Sequence, residues 1–326
     1  MGMFNLIRPD IDIDFVGKRV LWLSVSTLAL VGSLVLLFTK GLNYGIDFEG
    51  GAEIQVKFHE SMDIGTVRTT LTKGGLEEFR LQQTGESGQN EFMVRMASGT
   101  TNLSGLGEKV KTILTSGRDP NSVEITRVDV VGPAAGSSLK KRGFQSMFFA
   151  LLVILIYVGI RFDARYAPGA VLALVHDSVI CLGVFVITGK QFDLTILAAI
   201  LALIGYSNND TIIVYDRVRE MTHLHPDWTI EHSVNRAMNE TLGRTFNTAF
   251  STFLVVFFLW LMGGPAIENF AFAILVGIVV GTYSSIFVAS SAIITVSHWK
   301  NRRDARARTS TGAKKRQYHV PPAPTG

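Results

Sequence analysis

Six long apolar runs divide the chain. They cover residues 20–38, 144–160, 168–188, 194–215, 246–262 and 270–296. Because about 20 apolar residues in a helix cross about 30 Å of hydrocarbon, each run predicts a membrane-spanning helix. The first run is long for a signal peptide and no small-residue cleavage pattern follows it, so we interpret it as an uncleaved first span.

The polar segment between the first two runs is long enough to fold by itself. Its patterns predict, in order, a strand, a helix, two strands, a helix and a strand, at residues 52–59, 63–73, 79–83, 91–96, 104–114 and 122–131. This βαββαβ order is typical of a ferredoxin-like α+β domain. Its one histidine, His59, lies at a strand end and is interpreted as a surface residue. We therefore predict no catalytic set in this segment.

The distribution of positive charge predicts the orientation of the spans. The short segments on the side of the two termini hold 17 Lys and Arg residues, whereas the short loops on the other side hold only Lys190. Cytoplasmic loops carry the excess of Lys and Arg, so both termini are expected in the cytoplasm. Lys140, Lys141 and Arg142 run against this orientation, but they end a long domain, and long domains translocate largely regardless of charge.

These patterns divide the chain into five parts. We expect a cytoplasmic N-terminus at 1–19, a first span at 20–39, an extracytoplasmic domain at 40–143, a five-helix bundle at 144–298 and a basic tail at 299–326. The tail is expected to be disordered and to contact anionic lipid, with a ribosome or another nucleoprotein as the alternative. Nucleic acid is otherwise not an expected partner.

The composition excludes most soluble enzymes. Charged residues make up 18% of the chain and apolar residues 47%, and the mean hydropathy is +0.29; a disordered chain is far more polar. The single cysteine, Cys181, excludes an intrachain disulfide framework and a zinc site of several thiolates. Because the motifs GxxxxGK[ST], GxGxxG and HExxH do not occur, we expect no cofactor or metal and no enzymatic activity.

Ionisable groups inside the spans are the candidates for function, because an Asp or Arg at mid-bilayer costs about 2.5–3.5 kcal/mol. His176 and Asp177 lie near the middle of the third span. They are interpreted either as functional groups or as a hydrogen bond between helices with no transport role.

The fourth span contains five consecutive polar residues, Ser207, Asn208, Asn209, Asp210 and Thr211. At about 100° per residue they surround the helix. We therefore expect either a locally irregular helix or a section enclosed by protein and water. Asp210, the one carboxylate, is interpreted as a protonatable relay, and a structural polar lock is the alternative.

Two further patterns lie in the last two spans. Arg244, Asn247, Thr248 and Ser251 share one helical face at the start of the fifth span. Arg244 is predicted at a depth where it pairs with Asp210, with a snorkelling interface arginine as the alternative. In the sixth span, small residues recur at intervals of four and predict close helix packing; they are Gly277, Gly281, Ser285 and Ala289.

Five motifs resemble the SecF family of bacterial protein-export membrane proteins. They are YGIDFEGG at 44–51, VGP at 131–133, ALVHD at 173–177, GYSNNDTIIVYDRVRE at 205–220 and LGRT at 242–245. By motif, Asp210 and Arg244 match the family's proton-relay positions, and His176 and Asp177 match its HD pair. Asn208 stands where the family often has a bulky aliphatic residue, which makes the site more polar. The glycines of the first motif are interpreted as a hinge or packing element.

The resemblance implies a function and its partners. It implies half of a bundle of the resistance–nodulation–division (RND) type in the bacterial inner membrane, completed by SecD. The pair would assist polypeptide translocation by SecYEG and SecA using the proton motive force, with YajC and YidC as further partners. The alternatives are a small-molecule or lipid exporter subunit of the RND type and a passive scaffold for the translocon.

Overall fold

The computed structural model describes residues 11–76, 78–84, 90–97, 105–161, 166–300 and 302–303. In chain order its helices and strands are α1 (Arg19–Thr39), β1 (Asn43–Tyr44), α2 (Ile46–Glu49), β2 (Gly51–Phe58), α3 (Ile64–Lys73), β3 (Phe79–Thr84), β4 (Glu91–Ala97), α4 (Leu106–Thr115), β5 (Val123–Val131), α5 (Pro133–Arg161), α6 (Ala167–Thr188), β6 (Gln191–Phe192), α7 (Leu194–Leu224), α8 (Ile230–Met262) and α9 (Pro265–Ser284). A π-helical turn, Ser285–Ala289, follows α9, and residues 290–300 continue the helix.

Six helices of the described residues are long and apolar enough to cross a membrane, in agreement with the six apolar runs. Three helices extend furthest beyond the predicted limits: α5 begins at Pro133, α7 continues to Leu224 and α8 begins at Ile230. Hydropathy marks only the apolar part of a helix, whereas helical hydrogen bonding continues through polar residues that water can solvate. Residues 1–10, 162–165 and 304–326, with most of the predicted basic tail, lie outside the described residues.

The segment between α1 and α5 contains the predicted βαββαβ sequence of elements, from β2 to β5, which we call the α/β domain. Its four strands form an antiparallel sheet in the order β3-β4-β2-β5. Alternate residues of the central strands are fully buried, among them Ile54, Val56 and Val94. They pack against the apolar faces of α3 and α4. This alternation is the physical reason that the strands could be predicted from sequence.

The α/β domain is joined to the helix bundle by backbone as well as side-chain contacts. Strand β1, which precedes the α/β domain in the chain, pairs in parallel with β6. Strand β6 is the two-residue strand between α6 and α7. The rings of Tyr44, Phe48, Phe144 and Phe192 cluster behind this pairing. The Lys140 ammonium lies 3.6 Å from the centre of the Tyr44 ring. This basic residue, which ran against the charge rule, therefore has a local packing partner.

Carboxylates lie at the same junction. One oxygen of Glu53 accepts hydrogen bonds from Arg95 Nη2 at 3.2 Å and from Gln191 Nε2 at 3.3 Å. Burial raises the pKa of Glu53, and Arg95 offsets this only in part. The pKa of Asp193, which caps α7 through the Ile196 N–H, is likewise raised by burial. These groups border a cavity of about 250 Å³ between the α/β domain and the bundle.

At the other end of the bundle, the segment preceding α1 is tied to α8. The side chains of Asn235 and Asn239 accept hydrogen bonds from backbone N–H groups of residues 13–16 and donate to the Ile13 carbonyl. Phe15 is buried and meets the ring of Phe287 in the π-helical turn edge to face. The segment that precedes α1 is thus held against both α8 and the π-helical turn.

The backbone at Gly51 generates a first prediction. Its φ is +133°, and a Cβ there would lie 2.2 Å from the Met96 carbonyl oxygen of β4. We expect Gly51→Ala to destabilise the protein by at least about 1–3 kcal/mol, because the strained backbone and the contact with a main-chain atom cannot both be relieved. The thermal unfolding midpoint in detergent measures this. Gly132→Ala is the control, since its Cβ would meet nothing within 4 Å; equal stability of the two variants would contradict the explanation.

The Glu53 carboxyl generates a prediction about pH. The pKa of Glu53 in the folded protein lies above its ordinary value of 4.5. At pH values between the ordinary pKa and the folded pKa, the folded state therefore binds more protons than the unfolded state. The stabilising contribution is complete below the ordinary value and is lost as the pH rises through the folded pKa. We therefore expect the thermal unfolding midpoint to be higher at about pH 5 than at about pH 7.5. The difference in midpoint between the two pH values should be smaller in Glu53→Gln. Glu60→Gln, at an exposed position, should keep the full pH dependence.

Candidate functional site

Helix α7 stays regular through its polar section. Residues Ser207 to Thr211 are all α-helical, so the expectation of an irregular helix is wrong. Four of the five side chains are buried, and Asn209 is exposed. The other helices enclose four of these polar side chains, which explains how a membrane-spanning helix can contain them. Asn209 is the exception, because no other part of the described chain covers it.

Asp210 is a deeply buried carboxylate of α7. Only 1% of the residue is exposed, and its Oδ2 atom is buried without a hydrogen-bond partner among the described residues. Arg244 of α8 is the cation that acts electrostatically on it. The described residues form no salt bridge between the two. The predicted pair is therefore an interaction through space, without a direct ion pair.

The polar face of α8 is open on one side. Arg244 and Ser251 are exposed, whereas Asn247 and Thr248 are partly buried. Thr248 contacts α7 through its carbonyl, which accepts a hydrogen bond from Tyr206 Oη at 3.2 Å. The Oδ1 atom of Asn247 is buried without a hydrogen-bond partner among the described groups. Polar groups without hydrogen-bond partners are costly inside a membrane, so these groups require contact with further protein or with water.

His176 and Asp177 form a second polar centre, and its carboxylate is bonded to two neighbouring helices. His176 Nδ1 lies 3.0 Å from Asp177 Oδ1. The other oxygen of Asp177 accepts hydrogen bonds from Ser207 Oγ of α7 at 2.7 Å and from Ser284 Oγ of α9 at 2.8 Å. His176 is 3% exposed and Asp177 7%. One carboxylate thus connects α6, α7 and α9.

Sequence reasoning missed Ser284 as a partner of Asp177. The signal was weak, because a serine among small residues is indistinguishable from a packing position until its neighbour is known. Ser284 is next to Ser285, whose Oγ lies 3.1 Å from Thr211 Oγ. Both serines stand where α9 changes to the π-helical turn. A π-turn inserts a residue into the helix, which lets two adjacent side chains face α6 and α7.

The small residues of α9 lie against α7. A Cβ on Gly277 would lie 2.1 Å from both methyl carbons of Leu203, and a Cβ on Gly281 would lie 3.0 Å from Ser207 Cβ. The carbonyl of Ala289 accepts a hydrogen bond from Tyr215 Oη at 3.2 Å. Cys181 is buried, and its thiol faces the Ala273 carbonyl at 3.8 Å. The close approach of α7 and α9 brings Ser207 and Ser284 to the same carboxylate.

Comparison with known proteins places this arrangement in a family. The profile described as protein export membrane protein SecD/SecF, C-terminal, matches residues 109–299, and the SecD/SecF GG motif matches residues 35–62. The chain belongs to the SecF family. It is 42% identical to a protein translocase subunit SecF from Calditerrivibrio nitroreducens, over 91% of this chain and 98% of that protein. The SecF of Escherichia coli O157:H7 is 39% identical, over 82% of each chain.

Solved structures agree with the assignment to the SecF family. The crystal structure of SecDF, a translocon-associated membrane protein from Thermus thermophilus, superposes with a TM-score of 0.79 at 32% identity. The alignment covers 91% of this chain and 40% of that chain. A SecDF structure in a super-membrane-facing form has a TM-score of 0.69 at 31% identity. The chain is accordingly an α-helical, multi-pass membrane protein, and it spans less than half of the solved SecDF chains.

The contact between α7 and α9 generates a prediction. Gly277→Ala should lower the thermal unfolding midpoint, because the new methyl group overlaps Leu203. Adding Leu203→Ala should restore part of the loss, since neighbouring substitutions that relieve one overlap are not additive. Gly205→Ala on α7 is the control, because its Cβ would meet nothing within 4 Å. Strictly additive losses for Gly277→Ala and Leu203→Ala would contradict this packing explanation.

Proposed function

We propose that this chain is the SecF-type half of a SecD–SecF complex that assists protein translocation across the bacterial cytoplasmic membrane. Two findings support this proposal. The chain belongs to the SecF family, and it aligns with a part of a solved SecDF chain that makes up 40% of that chain. In this proposal both termini are cytoplasmic and the α/β domain is a ferredoxin-like extracytoplasmic domain. The βαββαβ order and the sheet order β3-β4-β2-β5 support that type of fold.

Asp210 is the residue proposed to bind and release the proton that drives the cycle. An ionised carboxylate without hydrogen-bond donors is costly in an apolar bundle, and protonation removes that cost. Arg244 stabilises the ionised form through space. Binding and release of a proton therefore change the charge enclosed between α7 and α8. A membrane potential supplies about 2.3 kcal/mol per charge per 100 mV for such a step.

A partner half is supported by the surface beside Asp210. Asn209 on α7 is exposed and follows the exposed small residues Ala198, Ala202 and Gly205 along one helical face. Arg244 and Ser251 are exposed on α8. A face of small residues permits close helix approach, and polar side chains in hydrocarbon require partners. A six-helix SecD subunit would cover this face and complete the surroundings of Asp210 and Arg244.

The remaining partners follow from this role. SecYEG with SecA would deliver the translocating polypeptide to the extracytoplasmic side, and YajC and YidC would join the assembly. The basic residues beyond Lys300 would contact anionic lipid at the cytoplasmic surface. Asn208, Asn247, Thr248 and Ser251 are proposed to support the relay through the polarity that they provide around it.

The decisive variant is Asp210→Asn, which keeps the size of the side chain but cannot ionise. We expect export of a secretory protein, driven by a proton gradient in membrane vesicles, to fall to the level of vesicles lacking the complex. SecD must co-purify with the variant in normal amount. Asp227→Asn, at an exposed loop position, is the matched control and should export normally. Normal export by Asp210→Asn in an intact complex would overturn the proton-relay role.

A further inference from the structure

We propose that His176 binds a proton at Nε2 and that the His176–Asp177 pair is a proton-binding site separate from Asp210. The pair is buried between α6, α7 and α9. Its ligand is a single proton, taken from water and returned to water, with no change in any covalent bond between heavy atoms. Proton binding here does not depend on the relay proposed for Asp210.

The hydrogen bonds around Asp177 define the form of the histidine. Both Asp177 oxygens are occupied, one by His176 Nδ1 and the other by two serine hydroxyls. Three donors directed at one carboxyl group favour its ionised form. Asp177 is then the acceptor from the Nδ1–H group of His176. The remaining nitrogen, Nε2, is the basic one, and it is buried without a partner among the described residues.

Charge decides what happens at that nitrogen. With a neutral imidazole the pair carries one buried negative charge, and in a low-dielectric interior an uncompensated charge is costly. A proton at Nε2 converts the pair into an imidazolium–carboxylate pair with no net charge. No Lys or Arg of the described chain forms a salt bridge with Asp177, so the histidine is the cation available to it.

The groups facing the pair are few and largely uncharged. On α9, the ring of Tyr283 stacks on the ring of His176, with centroids 6.5 Å apart. On α6, the Cys181 thiol is close enough to Asp177 to interact with it electrostatically. Helix α1 contributes Ser26, which donates to Tyr283 Oη at 3.1 Å, and helix α7 contributes Ser207. Tyr283 Oη in turn donates to the Trp22 carbonyl at 2.7 Å. The site therefore extends from α7 to α1 through hydroxyl groups and one aromatic ring.

The position of Ser284 links the proton to the shape of α9. Ser284, immediately before the π-helical turn, has one hydroxyl hydrogen and two acceptors within reach, Asp177 Oδ2 at 2.8 Å and the more distant Gly281 carbonyl at 3.1 Å. A change of charge on the pair alters the strength of the bond that holds this turn against α6. Proton binding at His176 would thus change how firmly the junction of the three helices is held.

The test is nitrogen NMR of the complete chain, with its SecD partner, carrying ¹⁵N-labelled histidine. The signal of His176 is identified by its loss in His176→Asn. We expect it to have the Nδ1–H tautomer at the highest pH examined and to gain a proton at Nε2 as the pH is lowered. Asp177→Asn and Ser284→Ala should shift the midpoint of this titration. His59→Asn and Ser291→Ala, at an exposed strand end and elsewhere in the last helix, should leave it unchanged.

A functional readout separates proton binding from a purely structural role. His176→Asn keeps a donor for Asp177 but cannot bind the proton, whereas His176→Ala loses both. We expect both variants to change the pH profile of gradient-driven export. If His176→Asn exports with the wild-type pH profile, or if the His176 signal does not titrate, the inference is overturned. Titration of His176 should persist in Asp210→Asn, so failure of the Asp210 relay and failure of this site give different results.

Discussion

The constraint on which this structure depends is that polar side chains in an apolar helix bundle must be satisfied by neighbouring helices, since hydrocarbon offers no hydrogen bonds. Asp177 meets the constraint completely: its two oxygens are bonded to His176, Ser207 and Ser284. The glycines of α9 make these hydrogen bonds possible. Because they have no side chains, α9 lies close enough to α7 for Ser207 and Ser284 to reach the same carboxylate. Helix packing and polar bonding at this centre are therefore one arrangement.

Asp210 lies one turn of α7 beyond Ser207 and meets the same constraint differently. It is more deeply buried than Asp177, but its Oδ2 atom has no donor among the described groups, and its cation acts from α8 through space. Asp177 is held by three donors, whereas Oδ2 of Asp210 has none among the described groups, so the two carboxylates are stabilised in different ways. In our proposals both centres bind a proton, Asp210 at its own carboxylate and Asp177 through His176. The exposed polar residues of α7 and α8 lie on the face that we propose a partner covers.

The α/β domain is attached to this bundle at a junction that combines backbone pairing with side-chain contacts. The pairing of β1 with β6 connects the chain after α1 to the loop between α6 and α7. Gly50 and Gly51 allow main-chain atoms of β4 and of the start of α5 to approach within distances that a side chain would prevent. Main-chain contacts therefore connect the loop between α6 and α7 with the chain that leads into the α/β domain.

The sequence by itself determined the six helices, the order of strands and helices in the α/β domain, and the unusual polar residues within the spans. These features depend on local periodicity and hydropathy, which each segment carries whatever its neighbours are. Tertiary structure alone decided that Ser284 and Ser207 bond to Asp177, that Arg244 stays apart from Asp210, and that Asn209 is exposed. It also decided where the π-helical turn falls and that β1 pairs with β6. The reason is physical: these contacts join residues far apart in the chain, and they depend on the rotation and separation of whole helices, which no local pattern specifies.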